Sequence, residues 1–448
     1  MTRPPHWPAP RPRGPVDAVV QIPGSKSLTN RWLVLGALAD GPSTIRRPLR
    51  SLDTEAMVDA LQALGAAVDT SSDQVWSISP AASPSTVPLN KPSVDCGQAG
   101  TVMRFVPPLA ALTSATVDFH GHPSAATRPV GPVLDALRAL GVEVDDDGSG
   151  TLPFTVHGKG RVRGGCVEVD ASASSQFISA LLLAAARFEE GLTLSHSGTG
   201  LPSGAHLDMT LQVLQQVGVR VSRPDDHTWR VEPGPVRAFD VTVEPDLSSA
   251  APFMALAAVT GGRVTLPGWP AETTQPGARM RDVLAMMGAS CELGPDGLVV
   301  RGPSVPDPTG ASAPTGLRGT ELDLSEIGEL TPVVTALAAL AQGSSVLSGI
   351  AHLRGHETDR LAALVTEVTR LGGVARELPD GLVIEPGPRR GAPRQTYPHP
   401  PMAMFSAVKG AAVPGVEVED IATAAKTYPG FDGAWESAAA TGVAKGRP

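Results

Sequence analysis

Apolar positions along the 448-residue chain repeat as one unit six times. Each copy is an Ala/Leu-rich helical run, a turn and a short β-branched strand. The copies occupy residues 33–45, 103–119, 177–194, 250–266, 333–347 and 402–418. Their turns fall near Gly41, Ser114, Gly191, Gly261, Gly343 and Gly415, between 70 and 82 residues apart. In five copies a second helix follows and ends on a glycine, at 61–65, 137–141, 214–218, 284–288 and 368–372. Glycine in that place reads as a helix C-cap. A strand, a polar turn and another strand come next, as at Pro295-Asp296-Gly297 and Pro379-Asp380-Gly381.

The order α, β, α, β, β has a period longer than that of solenoid repeats. It predicts six small α/β modules, each with a sheet and two helices. The sixth is truncated, and the Ala/Gly-rich sequence after Trp435 reads as frayed. Six modules divide into two domains of three. A boundary near 239–244 and a second crossing near Pro23 give one domain of residues 24–240 and a discontinuous one of 1–23 and 241–448. Between two such domains is where an active site is expected.

Composition narrows this picture. Hydrophobic residues make up 42% but aromatics only 4%, so the core must be built from Ala, Leu and Val. Cys96, Cys166 and Cys291 are few and far apart, fitting neither a disulfide framework nor a zinc site. A reducing cytoplasm is the expected compartment. No apolar run approaches the ~18 residues of a membrane span, and residues 1–15 lack an apolar signal core. A net charge of −9 argues against nucleic acid as partner. It leaves room for a small anionic substrate in a locally basic pocket.

The stretch Pro23-Gly24-Ser25-Lys26-Ser27-Leu28-Thr29-Asn30-Arg31 offers such a pocket. Pro-Gly reads as a turn and Ser25 as a helix N-cap. Lys26 and Arg31 then stand in the first turns of a helix, whose unpaired N–H groups and positive end favour an anion. Taken alone, the same residues also suit an ordinary helix start with two solvated cations.

Six modules with this motif near the start resemble the enolpyruvyl transferases, and within them the EPSP synthases, over about residues 15 to 437. The resemblance implies an α/β fold of two similar inside-out barrel domains, each of three βαβαββ units. It implies transfer of the enolpyruvyl group of phosphoenolpyruvate to the 5-hydroxyl of shikimate 3-phosphate, with release of phosphate. On this likeness Lys26 touches both substrates. Ser27, Arg31, Ser174, Ser175, Gln176, Ser203, Glu329 and His356 join it around shikimate 3-phosphate. Gly100 and Thr101 of Gln98-Ala99-Gly100-Thr101, with Arg128, Gln176, Arg360 and Lys426, hold phosphoenolpyruvate. Arg104 follows on the same helix as Gly100. Glu329 and Glu357 are the proton-transfer carboxylates, with Lys26 as the third catalytic group. No metal or cofactor is implied, and the partners are the two small substrates of a cytoplasmic monomer.

The chain departs from the family pattern mildly at Gln98, where the family usually has Asn and the amide is kept, and sharply in the last module. Where the family carries Asp-His-Arg, this sequence reads His399-Pro400-Pro401, so the arginine is lost. Proline has neither charge nor N–H. That substitution opens a second reading, a diverged enolpyruvyl transferase with another acceptor alcohol or weakened use of phosphoenolpyruvate. A binding protein without turnover has no chemical need for Lys26, Glu329, Glu357 and Lys426 together. The absence of cysteine from 122–128 separates the chain from the sibling that modifies UDP-N-acetylglucosamine.

Overall fold

The computed structural model describes residues 6–81, 92–303, 315–355, 359–387, 393–394 and 400–442. Two strands come first, β1 (His6–Pro8) and β2 (Asp17–Val19). The first module contains α1 (Lys26–Leu38), β3 (Ser43–Arg46), α2 (Leu52–Ala63), β4 (Ala67–Asp69) and β5 (Val75–Ser79). The second contains β6 (Ser93–Asp95), α3 (Gly100–Ala111), β7 (Thr116–His120), α4 (Gly131–Ala139), β8 (Glu143–Asp145) and β9 (Phe154–His157). The third contains β10 (Gly165–Val169), α5 (Gln176–Ala185), β11 (Leu192–His196), α6 (Gly204–Gln216), β12 (Val221–Asp225) and β13 (Thr228–Val231), followed by β14 (Asp240–Thr242).

The fourth module is α7 (Leu247–Thr260), β15 (Arg263–Leu266), α8 (Met280–Met286), β16 (Ser290–Gly294) and β17 (Gly297–Arg301). The fifth is β18 (Glu321–Asp323), α9 (Thr331–Ala338), β19 (Ser345–Ser348), α10 (Arg360–Arg370), β20 (Val374–Leu378) and β21 (Gly381–Glu385). The sixth is β22 (Pro393–Arg394), α11 (Pro400–Ala412), β23 (Glu417–Glu419) and α12 (Phe431–Ala440). The six-copy pattern read from the sequence is thus the pattern of the fold.

Each complete sheet has one topology. In the second module β6 pairs parallel to β7, β7 antiparallel to β9, and β9 antiparallel to β8. Modules three and five repeat this order as β10-β11-β13-β12 and β18-β19-β21-β20. The first and fourth lack a leading strand of their own and take one from elsewhere. β14 pairs parallel to β3, with Asp240 opposite Thr44. β2 pairs parallel to β15, with Asp17 opposite Arg263. In the truncated sixth, β1 runs antiparallel to β23 and completes a three-stranded sheet with β22.

The chain forms two compact units, Gly24–Glu244 and Met1–Pro23 with Pro245–Pro448. The first extends past residue 240 because β14 closes its sheet. The first helix of each module is interior. All twelve residues of α3 and all eight of α9 are buried, as are all of α5 but Gln176. A helix apolar on every side can only lie inside. The second helices have one apolar face and end alike. Gly65, Gly141, Gly218, Gly288 and Gly372 all have φ between 78° and 99°. Each donates its N–H to the carbonyl three residues back, and the next residue donates to the one five back. This is the Schellman motif, five times over.

The C-terminus corrects an expectation. Trp435 is not where order ends: α12 continues to Ala440, with Ala438 and Ala439 buried, and residues 443–448 lie outside the described residues. Trp435 is fully buried, its ring 5.6 Å from that of Phe253 and 5.7 Å from that of Phe431. Among the described residues no helix is long and apolar enough to cross a membrane. We expect Trp435→Ala to lower the stability of the discontinuous unit by about 3–5 kcal/mol, the usual cost of truncating a buried Trp. Urea unfolding followed by circular dichroism measures it, and a loss below about 1 kcal/mol would mean that α12 is not part of that core.

Candidate active site

In the Gly24–Glu244 unit, hydrogen bonds tie together the first turns of four helices. Ser25 caps α1, its side chain accepting from Leu28 N, so the N-cap read from the sequence stands. Asn30 Nδ2 on α1 donates to Thr101 Oγ1 on α3 at 2.9 Å. Arg104 Nη1 on α3 donates to Gln176 Oε1, in the first turn of α5, at 2.8 Å. Arg31 Nε donates to Thr210 Oγ1 on α6 at 2.9 Å, and Thr210 Oγ1 lies 3.0 Å from Ser179 Oγ on α5. These links gather Lys26, Ser27, Gly100, Thr101 and Gln176 at one end of the interior helices.

Two guanidiniums lie in this ring. Arg31 is 1% exposed, donates to the carbonyls of Ser27 and His206 at 3.0 Å, and lies over the Phe105 ring. Burial lowers it to about 9. Arg104 donates twice to Pro129 O and packs on Phe177. Burial, then the neighbouring Arg128, bring it to about 9 as well. Both therefore stay charged near neutrality. Among the described residues neither has a carboxylate partner. Arg31 already uses three of its five N–H donors within the protein.

Arg128 Nη1 donates to Gln98 O at 2.9 Å, which lays it across the start of α3. The fit depends on Gly100, where a Cβ would lie 2.2 Å from Arg128 Nη2. Ala99, the N-cap, offers no side-chain acceptor, and among the described residues no acceptor is found for the Gly100 and Thr101 N–H groups. Ser174 and Ser175 precede α5, and Ser174 Oγ accepts from Gln176 N. Ser203 precedes α6 in the left-handed region, φ 57° and ψ 56°. A non-glycine residue held there stores strain of about 1–3 kcal/mol.

Two residues absent from the sequence reading belong to this ring. Asp53 is buried and its Oδ2 lies 3.1 Å from Lys26 Nζ, which orients the ammonium. His206 has its imidazole pushed down to about 3, by burial first and then by Arg31 and Lys26, so it is neutral. Neither stands in a recognisable motif. Each is brought in by a helix packed on α1.

The other unit carries a carboxyl. Glu329 lies in the 3₁₀ turn Gly328–Leu330 that leads into α9, half-buried, and Ser248 Oγ donates to its Oε1 at 3.2 Å. Ser248 is in the first turn of α7, which Asp246 caps by accepting from Ser249 N at 2.9 Å. Buried Gln275 holds the same turn, accepting from Leu247 N and donating to Pro245 O. Burial raises Glu329 to about 7; Asp246 adds to the rise, while Ser248 and Arg360 oppose it. Arg360 is buried at the start of α10, capped by Asp359. Lys426 is half-buried at the end of a 3₁₀ turn after β23. His356, Glu357 and His399 lie outside the described residues. Pro400 and Pro401 open α11, where proline's fixed φ and missing N–H are tolerated.

Solved structures share this fold. EPSP synthase from Acinetobacter baumannii superposes with a TM-score of 0.78 at 21% identity, over 97% of this chain and 98% of that one. The enolpyruvyl transferase NikO from Streptomyces tendae does so with a TM-score of 0.73 at 17% identity, over 96% of each chain. The architecture is therefore the two-domain inside-out α/β barrel of the enolpyruvyl transferases. Within that class, the model of the EPSP synthase family, 3-phosphoshikimate 1-carboxyvinyltransferase, matches residues 10–435, and the chain belongs to this family of transferases. The 3-phosphoshikimate 1-carboxyvinyltransferase of Kocuria rhizophila is 54% identical over 442 residues, 96% of this chain and 95% of that protein.

The balance at Glu329 is testable without any substrate. The Ser248 hydroxyl favours the ionised carboxyl, so Ser248→Ala should raise the midpoint above about 7 by roughly half a unit to one unit. Carbon-13 NMR of the Glu329 carboxyl across pH 5–9 reads it directly, and an unchanged or lowered midpoint would remove Ser248 from the balance.

Proposed function

We infer that this chain transfers the enolpyruvyl group of phosphoenolpyruvate to the 5-hydroxyl of shikimate 3-phosphate and releases inorganic phosphate. Family membership supports the reaction. The observation that carries the assignment of the site is the pair of buried guanidiniums, Arg31 and Arg104, at helix N-termini with no carboxylate against them among the described residues. A buried charge left uncompensated costs several kcal/mol. An anionic substrate supplies the missing charge.

Two substrates, phosphoenolpyruvate and shikimate 3-phosphate, have to be held. Lys26 contacts both. Ser27, Ser174, Ser175 and Ser203 donate hydroxyls to the shikimate phosphate, with Gln176 and His356 beside them. Arg31 adds positive charge and fixes the Ser27 carbonyl and the His206 turn. Gly100 and Thr101 N–H groups, Arg128, Gln176, Arg360 and Lys426 hold phosphoenolpyruvate. With Pro401 in place of the family arginine, Arg104, Arg128 and Arg360 are the guanidiniums assigned to that anion.

In the addition step Glu329 accepts the proton of the 5-hydroxyl as its oxygen bonds to C2 of phosphoenolpyruvate. The C2–C3 electron pair takes a proton at C3 from Glu357 or Lys26, giving a tetrahedral ketal phosphate. In the elimination step C3 returns a proton to the group that supplied it, the double bond re-forms, and phosphate leaves with the electron pair of the C2–O bond, taking a proton from Glu329. A carboxyl with a midpoint near 7 suits such reversible proton transfer.

Purified protein given phosphoenolpyruvate and shikimate 3-phosphate should release phosphate and form the enolpyruvyl product. Glu329→Gln should reduce turnover by about 10²-fold or more with little change in substrate binding. Absence of turnover by the unaltered protein at millimolar substrates would overturn the reading. A more local check is Gly100→Ala, which forces Arg128 off the start of α3. We expect it to raise KM for phosphoenolpyruvate about tenfold, the cost of one misplaced charged hydrogen bond, with a smaller effect on shikimate 3-phosphate. Equal losses for both substrates would mean that Arg128 does not sit at the phosphoenolpyruvate subsite.

A further inference from the structure

The two loops that carry the serine hydroxyls are fastened to each other by a residue outside the ring of helix ends. One loop, 170–175, joins β10 to α5 and bears Ser174 and Ser175; the other, 197–203, joins β11 to α6 and bears Ser203. His196, buried at the end of β11, lies between them. Its Nδ1 accepts from Ala171 N at 3.2 Å and Gly198 N at 3.4 Å, one from each loop. Its Nε2 is 3.2 Å from Gly200 O. Two N–H groups aimed at Nδ1 require a lone pair there, so the hydrogen sits on Nε2 and donates to Gly200 O. The opposite tautomer satisfies only Val169 O, also 3.2 Å from Nδ1.

Gly198 is an independent sign that the loops are pressed together. A Cβ there would lie 2.0 Å from Ser172 Oγ, 2.1 Å from Asp170 Oδ1 and 2.8 Å from His196 Cε1. A side chain there would push Ser172, Asp170 and the His196 ring out of place. Among the described residues, the titratable groups facing the imidazole are Asp170, on the first loop, and His227, whose ring centroid is 6.1 Å away.

We propose that neutral His196, seated against Gly198, is a positioning residue that locks the two serine-bearing loops into one cradle for the phosphate of the acceptor substrate. The proposal rests on the functional reading above. An asparagine keeps an acceptor oxygen at the Nδ1 position.

The test compares His196→Ala, His196→Asn and Gly198→Ala with the unaltered protein. The alanine variant should weaken shikimate 3-phosphate binding about tenfold, the worth of one to two hydrogen bonds, while KM for phosphoenolpyruvate changes less than about twofold. The asparagine variant should recover most of the loss. Gly198→Ala keeps His196 and should reproduce the selective weakening, which decides the matter should the alanine variant fold poorly. Equal losses for both substrates, or no recovery with asparagine, would overturn the proposal. Amide hydrogen exchange at Ala171 and Gly198 separates its failure from that of the function: faster exchange in the alanine variant and recovery with asparagine support the latch even in a protein that does not turn over these substrates.

Discussion

The first turn of a helix has N–H groups with no carbonyl behind them, and a helix buried on every side cannot hand them to bulk water along its length. That constraint organises this protein. Its interior helices are apolar all round, so their polar demand is concentrated at their ends. α1 meets it with Ser25 and α7 with Asp246. α3 begins at Ala99-Gly100-Thr101, where no side chain caps the helix. The unmet donors of α3 lie where Arg104 and Arg128 already concentrate positive charge.

The electrostatics follow from that placement. Bringing Arg31 and Arg104 into the interior without carboxylates costs solvation, and both lose basicity for that reason. Phe105 and Phe177 offset part of the cost through their ring faces. Backbone carbonyls of Ser27, His206 and Pro129 offset more. What remains is a positive potential in a partly desolvated ring, where an anion gains more than it would at the surface. A carboxylate in the ring would have neutralised this potential and competed with any anionic ligand. Asp53 does not have this effect, because it is buried against Lys26 alone and fixes one ammonium.

The repeat was legible in the sequence because two signals recur together: an unbroken Ala/Leu run for each interior helix and a glycine ending each outer one. The borrowed strands were not legible. β1, β2 and β14 are three residues long, too short to carry a periodicity, and their partners lie far along the chain. α12 was misread as frayed because Ala and Gly dominate its sequence, whereas tertiary burial of Trp435 and Ala438 holds it. At the site, motif position marked Lys26, Gly100, Arg128 and Glu329. It could not reveal that Arg31 spends three donors on Ser27, His206 and Thr210, nor that His206 and Asp53 stand beside Lys26. Those contacts are made between helices, and spacing along one helix does not encode them.

Glu329 shows how a separate module tunes a carboxyl against its surroundings. Arg360 and the Ser248 hydroxyl favour the ionised form; burial and Asp246 favour the neutral one, and burial is the larger effect. The outcome, a midpoint near 7, leaves substantial amounts of both forms at neutral pH. Arriving phosphate and carboxylate groups add negative charge and push the midpoint higher. On the proposed reaction this has a direct consequence. The ionised fraction takes the hydroxyl proton, and the same rise in basicity lets the carboxyl keep that proton until elimination. A surface glutamate, with its midpoint near 4.3, would accept the proton only weakly and return it at once. On that reaction, half-burial beside the first turn of α7 becomes part of the chemistry, and it is set by the packing of α7 and α9 rather than by the identity of the residue alone.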